Sequence, residues 1–248
     1  SIGCMHMRTG SYQRSFRNDG GYAAVPPAYV KAFPEYLRVA GYYCTNNAKT
    51  DYQFDSGEVP PSIWDECSNK AHYKNRKDKS QPFFAVFNLE CTHESQNWKP
   101  NKKTDPAKVM VPPYYADTRV VRENLASMYD NIIKLDSIVG AMLEELKRLG
   151  EADNTIVFFW SDHGYQLGEH GNWMKQALWE PSARSPLIIS GAGVKAKGKA
   201  CGRTVEFLDL YPTAAALGGL SGAPKNLHGT SLVPLLDNPS APWDRPAI

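Results

Sequence analysis

Residues 118–160 read TRVVRENLASMYDNIIKLDSIVGAMLEELKRLGEADNTIVFFW, and the change of period inside this stretch decides the fold. In its first part Val121, Leu125, Met128, Ile132, Leu135, Val139, Met142, Leu146 and Leu149 recur at steps of three and four residues. Arg122, Lys134, Glu144, Glu145 and Arg148 fall between them and Gly150 supplies a stop, so the spacing predicts one long amphipathic helix over about 118–149. The helical period then ends. Residues 155–160 (TIVFFW) form a continuous apolar run of strand length, the pattern of a strand buried on both faces. Outward from this pair, 82–89 (PFFAVFNL) and 186–190 (PLIIS) read as further strands of the same kind, and 34–40 as a short helix closed by Gly41. Residues 205–217 begin as a short strand and become a helix, while the polar stretch 51–81, with its charged run from Lys70 to Lys79, reads as a solvated loop. Strands alternating with helices predict an α/β layered sandwich, with a largely parallel central sheet flanked by helices. Ligands of such sheets bind beyond the carboxyl ends of the strands, which points to the residues after Leu89 and after Trp160.

Composition removes several function classes. The 248 residues carry 28 Lys+Arg against 26 Asp+Glu, a net charge of +2, which offers no basic face for nucleic acid. With 42% hydrophobic and 22% charged residues the chain has a globular balance, and no apolar run approaches the roughly 18–20 residues of a membrane span. The five cysteines, Cys4, Cys44, Cys67, Cys91 and Cys201, form neither a disulfide framework nor a CxxC metal site. No Asn-x-Ser/Thr sequon occurs, since Asn238 is followed by Pro239. Ser1-Ile2-Gly3-Cys4-Met5-His6 shows no signal-peptide pattern, and the abrupt start and end suggest a piece of a longer chain.

The chemistry concentrates in 161–175, SDHGYQLGEHGNWMK. Where a strand enters a loop its side-chain alternation breaks down, so Asp162 and His163 can turn toward one point. A carboxylate oxygen and a neutral imidazole nitrogen suit a divalent cation, and three glycines in eight residues keep the backbone close to what is bound. Taken alone, such a pair reads more readily as a capping Asp beside a packed His, and the longer string is what makes the metal reading specific.

The full string resembles the second metal-binding segment of the sulfatases, within the alkaline phosphatase superfamily, and most closely the iduronate-sulfatase and choline-sulfatase branches. The resemblance implies Asp162 and His163 as ligands of one Ca²⁺ and Lys175 as a contact of the sulfate oxygens, with Glu169 and His170 shaping the loop. FFAVFNLECTHE (83–94) resembles the family strand that ends in a substrate-contacting His. It implies His93 as a sulfate contact and proton donor to the leaving alcohol, a role imidazole suits near neutral pH. The Pro and second His that usually follow are Ser95 and Gln96 here. YLRVAGYYCTNNAKTD (36–51) resembles the family's L-x-x-A-G-Y … G-K-W-H stretch, which implies Lys49 as a second sulfate-binding lysine. Asp51 stands where the family has His, and His6 lies where it often places histidines near the pocket. Residues 206–213 and 227–236 match the D-L-x-P-T and G-x-S-L-x-P-L-L landmarks, both packing elements, so His228 reads as structural.

Sulfatases use a formylglycine made from Cys or Ser in a C/S-x-P-x-R sequence. None occurs in this chain, and Cys4-Met5-His6-Met7-Arg8 has His where Pro is required. The resemblance covers nearly all 248 residues and corresponds to the central part of a single catalytic domain. The nucleophile segment and two further Asp ligands are therefore expected before it, and the smaller C-terminal subdomain after it. It implies a Ca²⁺- and formylglycine-dependent sulfuric ester hydrolase with Lys49 and Lys175 on the sulfate and His93 at the leaving group. Its substrate would be a sulfated small molecule or glycan, and its location extracytoplasmic, periplasmic or secreted. Two alternatives stand beside this reading. One is a phosphoester or phosphonate-ester hydrolase of the same superfamily with two transition-metal ions. The other is a non-catalytic homologue that binds sulfate or glycan.

Overall fold

The computed structural model describes residues 28–47, 49–50, 62–98, 101–175 and 177–247. They divide into two units: the described residues up to Asn88 together with those from Lys195 onward, and Leu89–Val194.

The first unit is built on a parallel sheet. Helix α1 (Phe33–Val39) carries Pro34 in its first turn, where the missing N–H costs nothing, and stops at Gly41, whose φ of 91° suits glycine. The chain then enters β1 (Tyr43–Asn47), the centre of a three-stranded sheet ordered β2 (Glu66–Cys67), β1, β3 (Phe83–Phe87). Both pairings are parallel, with Tyr43 opposite Phe83 and Asn47 opposite Phe87. Phe33, Leu37 and Cys44 pack with Tyr211 and Ala215 into one core, Phe33 meeting Phe84 and Tyr211 edge to face. Burial pushes the Cys44 thiol up to about 12.

In the charged run Lys70, Lys74, Lys77, Asp78 and Lys79 are exposed, as expected of a solvated loop, but part of the run departs from that pattern. Tyr73 and Arg76 are buried, Tyr73 stacks on Phe83 at 4.4 Å, and the Arg76 guanidinium lies 5.0 Å above the same ring. Its Nη1 and Nη2 donate to the carbonyls of Tyr73 and Lys79, so backbone takes up part of the buried guanidinium's hydrogen bonding.

No strand forms at 205–206. Asp209 is buried; its carboxylate accepts from the backbone N–H of Glu206 and of Thr230, at 3.0 and 2.7 Å. The Glu206 N–H, which a strand would have offered to a neighbour, is thereby used, and a 3₁₀ turn (Phe207–Asp209) leads into a helix (Leu210–Leu217). Gly229 is required here, because an added Cβ would lie 1.9 Å from the Leu208 carbonyl oxygen.

In the second unit the long helix runs over Arg119–Arg148, with the Thr118 hydroxyl accepting from the Val121 N–H at its start. Its buried face is less apolar than its period suggests. Leu125, Ala126 and Leu146 are buried, but so are Ser127, Asp130 and Asn131, while Ile132 and Leu149 stay exposed. Asp130 accepts from the backbone N–H of Lys103 and Thr104 and from the Thr104 hydroxyl, clamping the preceding loop onto the helix. Strand β4 (Ile156–Trp160) follows and pairs antiparallel with β7 (Leu187–Gly191), Phe158 opposite Ile189. Between them lie a hairpin, β5 (Gln166–Leu167) with β6 (Trp173–Met174), and the short helix Glu180–Ala183. The parallel sheet and its helices bear out the α/β class expected from the alternating pattern.

Candidate active site

The chain leaves β4 into Ser161-Asp162-His163-Gly164, and several bonds hold this turn. The Ser161 hydroxyl donates to the His163 carbonyl, the Ser185 hydroxyl donates to the Ser161 carbonyl, and the Gly164 N–H donates to the Ser182 carbonyl at 2.7 Å. Gly164 lies so close to the short helix that an added Cβ would sit 2.0 Å from the Pro181 oxygen and 2.6 Å from that of Arg184. Within this frame Asp162 Oδ1 and His163 Nε2 are 3.8 Å apart. His163 Nδ1 lies 2.6 Å from the Gly164 carbonyl oxygen, which can only accept, so Nδ1 carries the ring proton and Nε2 presents its lone pair beside the carboxylate. A ring nitrogen donating to a backbone carbonyl while the other faces an acidic oxygen is the usual setting of a metal-ligating histidine. The two side chains fit two positions of a divalent cation site. Among the described residues no group of three or more His, Cys, Asp or Glu is placed to hold a metal ion.

A second cluster joins residues far apart in sequence. Two 3₁₀ turns (Glu90–Thr92 and Glu94–Gln96) flank His93. Its Nδ1 accepts from the Ser95 N–H at 3.3 Å and lies 2.9 Å from the Ser95 hydroxyl, which places the neutral ring's proton on Nε2. Lys175 Nζ stands 3.4 Å from that Nε2. In that tautomer Nε2–H and the Lys175 ammonium are both donors, an arrangement that one oxygen of an anion would satisfy. Glu94 Oε1 lies 3.8 Å from Lys175 Nζ, an ion pair rather than a hydrogen bond at that distance, with both side chains less than one-fifth exposed. Lys175 follows Met174, whose φ of 72° is left-handed, a strained backbone of the kind that gathers at functional sites.

Bonds beyond these groups keep them in place. Asn131 on the long helix donates to Asn97, and Asn97 donates to the Tyr165 hydroxyl, which links the helix to both site loops. Burial raises the Tyr165 phenol above its ordinary value, and the Glu94 charge adds to the rise. Glu169 accepts from the Leu167 N–H at 2.8 Å, and its hydrogen bond together with burial raises the Tyr115 phenol.

Lys49 belongs to the other unit. It follows β1 at the carboxyl end of the parallel sheet, and its carbonyl accepts from Asn46 Nδ2 at 2.9 Å. Asn88, just past β3, donates to Asn46 Oδ1 and to the Asn47 carbonyl, so two amides tie the strand ends to the Lys49 backbone. Asp51, His6 and Cys4 lie outside the described residues. The residues missed by sequence reading are Ser95, Glu94, Asn97, Asn131, Asn46 and Asn88. The readable signal was an asparagine near the carboxyl end of a strand, at 46, and again just past one, at 88.

The sulfatase family model matches residues 4–220. An ulvan-active sulfatase from Formosa agariphila is 35% identical over 88% of this chain and 42% of its own length. A choline-sulfatase from Rhizobium meliloti is 40% identical over 47% of this chain and 23% of its own length. The chain thus spans about two-fifths or less of these curated relatives. Among solved structures, a protein in complex with its substrate D-glucosamine-2-N,6-O-disulfate superposes with a TM-score of 0.68 at 17% identity, covering 95% of this chain and 68% of that one. The phosphonate monoester hydrolase of Agrobacterium radiobacter superposes with a TM-score of 0.71 at 16% identity, covering 95% and 66%. At such identities the two structures speak for the fold.

Proposed function

The chain belongs to the sulfatase family, and on that premise we propose that the protein hydrolyses sulfate esters of carbohydrates, with residues 1–248 as the central part of one catalytic domain. The observation that carries the reading is the pair of facing donors, His93 Nε2 and Lys175 Nζ, 3.4 Å apart. Sulfate monoester cleavage moves negative charge onto the leaving oxygen, and preorganised donors near that charge lower the barrier. Lys175 holds a non-bridging sulfate oxygen, and its charge is balanced in the resting protein by Glu94. Lys49, whose backbone carbonyl accepts from Asn46 Nδ2, is the second sulfate lysine.

His93 stands at the leaving group. It can release its Nε2 proton to an alkoxide only from the imidazolium form, in which Nδ1 also bears a hydrogen. The Ser95 hydroxyl, 2.9 Å from Nδ1, can turn to accept that hydrogen in place of the bond that the neutral ring takes from the Ser95 N–H.

Asp162 and His163 would hold a cation, which we take to be Ca²⁺ and which would supply positive charge for polarising a sulfate oxygen. The nucleophile of this mechanism is a formylglycine, and no Cys or Ser of residues 1–248 has the C/S-x-P-x-R context for making it. A carbohydrate substrate is supported by the relatives, which include two ulvan-active sulfatases of Formosa agariphila. No helix among the described residues is long and apolar enough to cross a membrane. We place the protein outside the cytoplasm, periplasmic or secreted, as the resemblance to its family implies.

The test compares kcat/KM of the intact protein for a sugar sulfate and for the phosphate and phosphonate esters of the same alcohol, with Ca²⁺ and with Mn²⁺ or Zn²⁺. Preference for the sulfate ester in Ca²⁺ supports the proposal. Preference for a phosphorus ester with a transition metal replaces it by the phosphoester reading. Sulfated-glycan binding with no turnover of any ester leaves a binding protein.

A further inference from the structure

The loops that carry the candidate site also carry an aromatic stack that none of these roles uses. The rings of His170 and Trp179 lie face to face, with centroids 4.0 Å apart and planes 7° apart. This is not a core contact. His170 is exposed and Trp179 is 50% exposed, with Trp173 at 44% and Leu178 at 99% on the same loops.

The backbone supports the stack from both sides. His170 holds a left-handed φ of 56° inside a 3₁₀ turn, a conformation unfavourable for a residue with a Cβ, and it lies in the hairpin loop between β5 and β6. Trp179 caps the short helix, its carbonyl accepting from the N–H groups of Ser182 and Ala183. The Ser182 carbonyl in turn accepts from Gly164, next to His163. The stack therefore joins the hairpin that delivers Lys175 to the helix braced against Asp162-His163-Gly164. A broad aromatic surface stands in water on these loops.

An aromatic face kept in solvent suits a partner that is apolar on its faces and polar at its edge. A pyranose ring is such a partner: its C–H faces lie on an indole while its equatorial hydroxyls remain hydrated. A flat apolar patch for a lipid or a protein would not need a strained His to complete it. We propose that the His170–Trp179 stack is a carbohydrate platform, which takes the face of a sugar ring of the sulfated substrate and favours glycan sulfates over sulfate esters without a ring. This subsite rests on the sulfate-ester reading of the adjacent donors.

The test uses Trp179→Ala, Trp179→Phe and His170→Gly in the intact protein. His170→Gly removes the stacking partner while relieving the left-handed backbone, so its loss of function cannot be laid to strain. Two substrates are compared: a sulfated oligosaccharide and 2-hydroxyethyl sulfate, which has the ester but no ring. Trp179→Ala and His170→Gly should raise KM for the oligosaccharide roughly 3- to 10-fold. The same variants should leave kcat/KM for 2-hydroxyethyl sulfate within about twofold, and Trp179→Phe should keep most of the oligosaccharide affinity. Equal losses on both substrates, or none on either, overturn the platform. If the unmodified protein cleaves neither ester, the sulfatase reading fails, and calorimetric titration with the desulfated oligosaccharide then decides the platform. Binding that weakens in Trp179→Ala retains it, and no binding to the unmodified protein rejects it.

Discussion

Replacing Lys175 by Ala perturbs two properties that the structure couples. Lys175 and Glu94 form an ion pair with side chains 18% and 19% exposed, so the change removes a cation and leaves a mostly buried carboxylate behind. An unsatisfied charged group in such a place costs about 1–2 kcal/mol. In a domain of about 250 residues that corresponds to a fall in Tm of about 2–8 °C, and to less in a longer intact domain. Loss of a donor aimed at the reacting oxyanion costs a further 10²- to 10³-fold in kcat, about 2.7–4 kcal/mol of transition-state stabilisation. The two effects separate in the double variant Glu94→Gln/Lys175→Ala, which no longer buries a lone charge. Scanning calorimetry should show its Tm restored toward that of the unmodified protein, while sulfate release measured by ion chromatography stays low. An unchanged kcat/KM in Lys175→Ala, or a double variant that regains activity, refutes the assignment of Lys175 to the sulfate.

Gly164→Ala pushes a Cβ against two carbonyl oxygens of the short helix, so it should destabilise by about 1–3 kcal/mol and also weaken cation binding next door, measured by calorimetry with and without Ca²⁺. A stable variant with full cation affinity contradicts the close packing on which the turn depends. Asp130 gives a pH signature. Burial pushes its carboxyl up, but the hydrogen bonds from Thr104 and Lys103 outweigh this and hold it below the usual carboxylate range. A depressed folded-state pKa gives stability that is present above the unfolded value, about 3.9, and is lost as pH falls through the folded one. Asp130→Asn should therefore lower stability at neutral pH and flatten its decline below about pH 4 in acid unfolding. An acid limb as steep as before shows that other carboxylates carry it.

The elements that follow a strong period were readable. The long helix, expected over about 118–149, runs over Arg119–Arg148, and the apolar runs at 82–89, 155–160 and 186–190 became β3, β4 and β7. What periodicity cannot carry is the partner of a polar group. Asp130 and Asn131 face inward because Lys103, Thr104 and Asn97 offer matched bonds, and Arg76 is buried because Phe83 and two carbonyls receive it. The same limit applies to the site. Asp162 and His163 are neighbours at a strand end, so their juxtaposition could be read from the chain. His93 and Lys175 are 82 residues apart, and only the resemblance to a family suggested that they meet. Ser95 departs from that family's Pro, and with its N–H on Nδ1 it sets where the His93 proton sits, which a proline could not do.

The most direct check is crystallographic: the intact protein grown with Ca²⁺ and inorganic sulfate, with anomalous scattering used to place the cation. A cation on Asp162 and His163, and a sulfate oxygen accepting from both His93 Nε2 and Lys175 Nζ, is the expected outcome. A cation bound elsewhere, or sulfate absent from the gap between those two nitrogens, contradicts it.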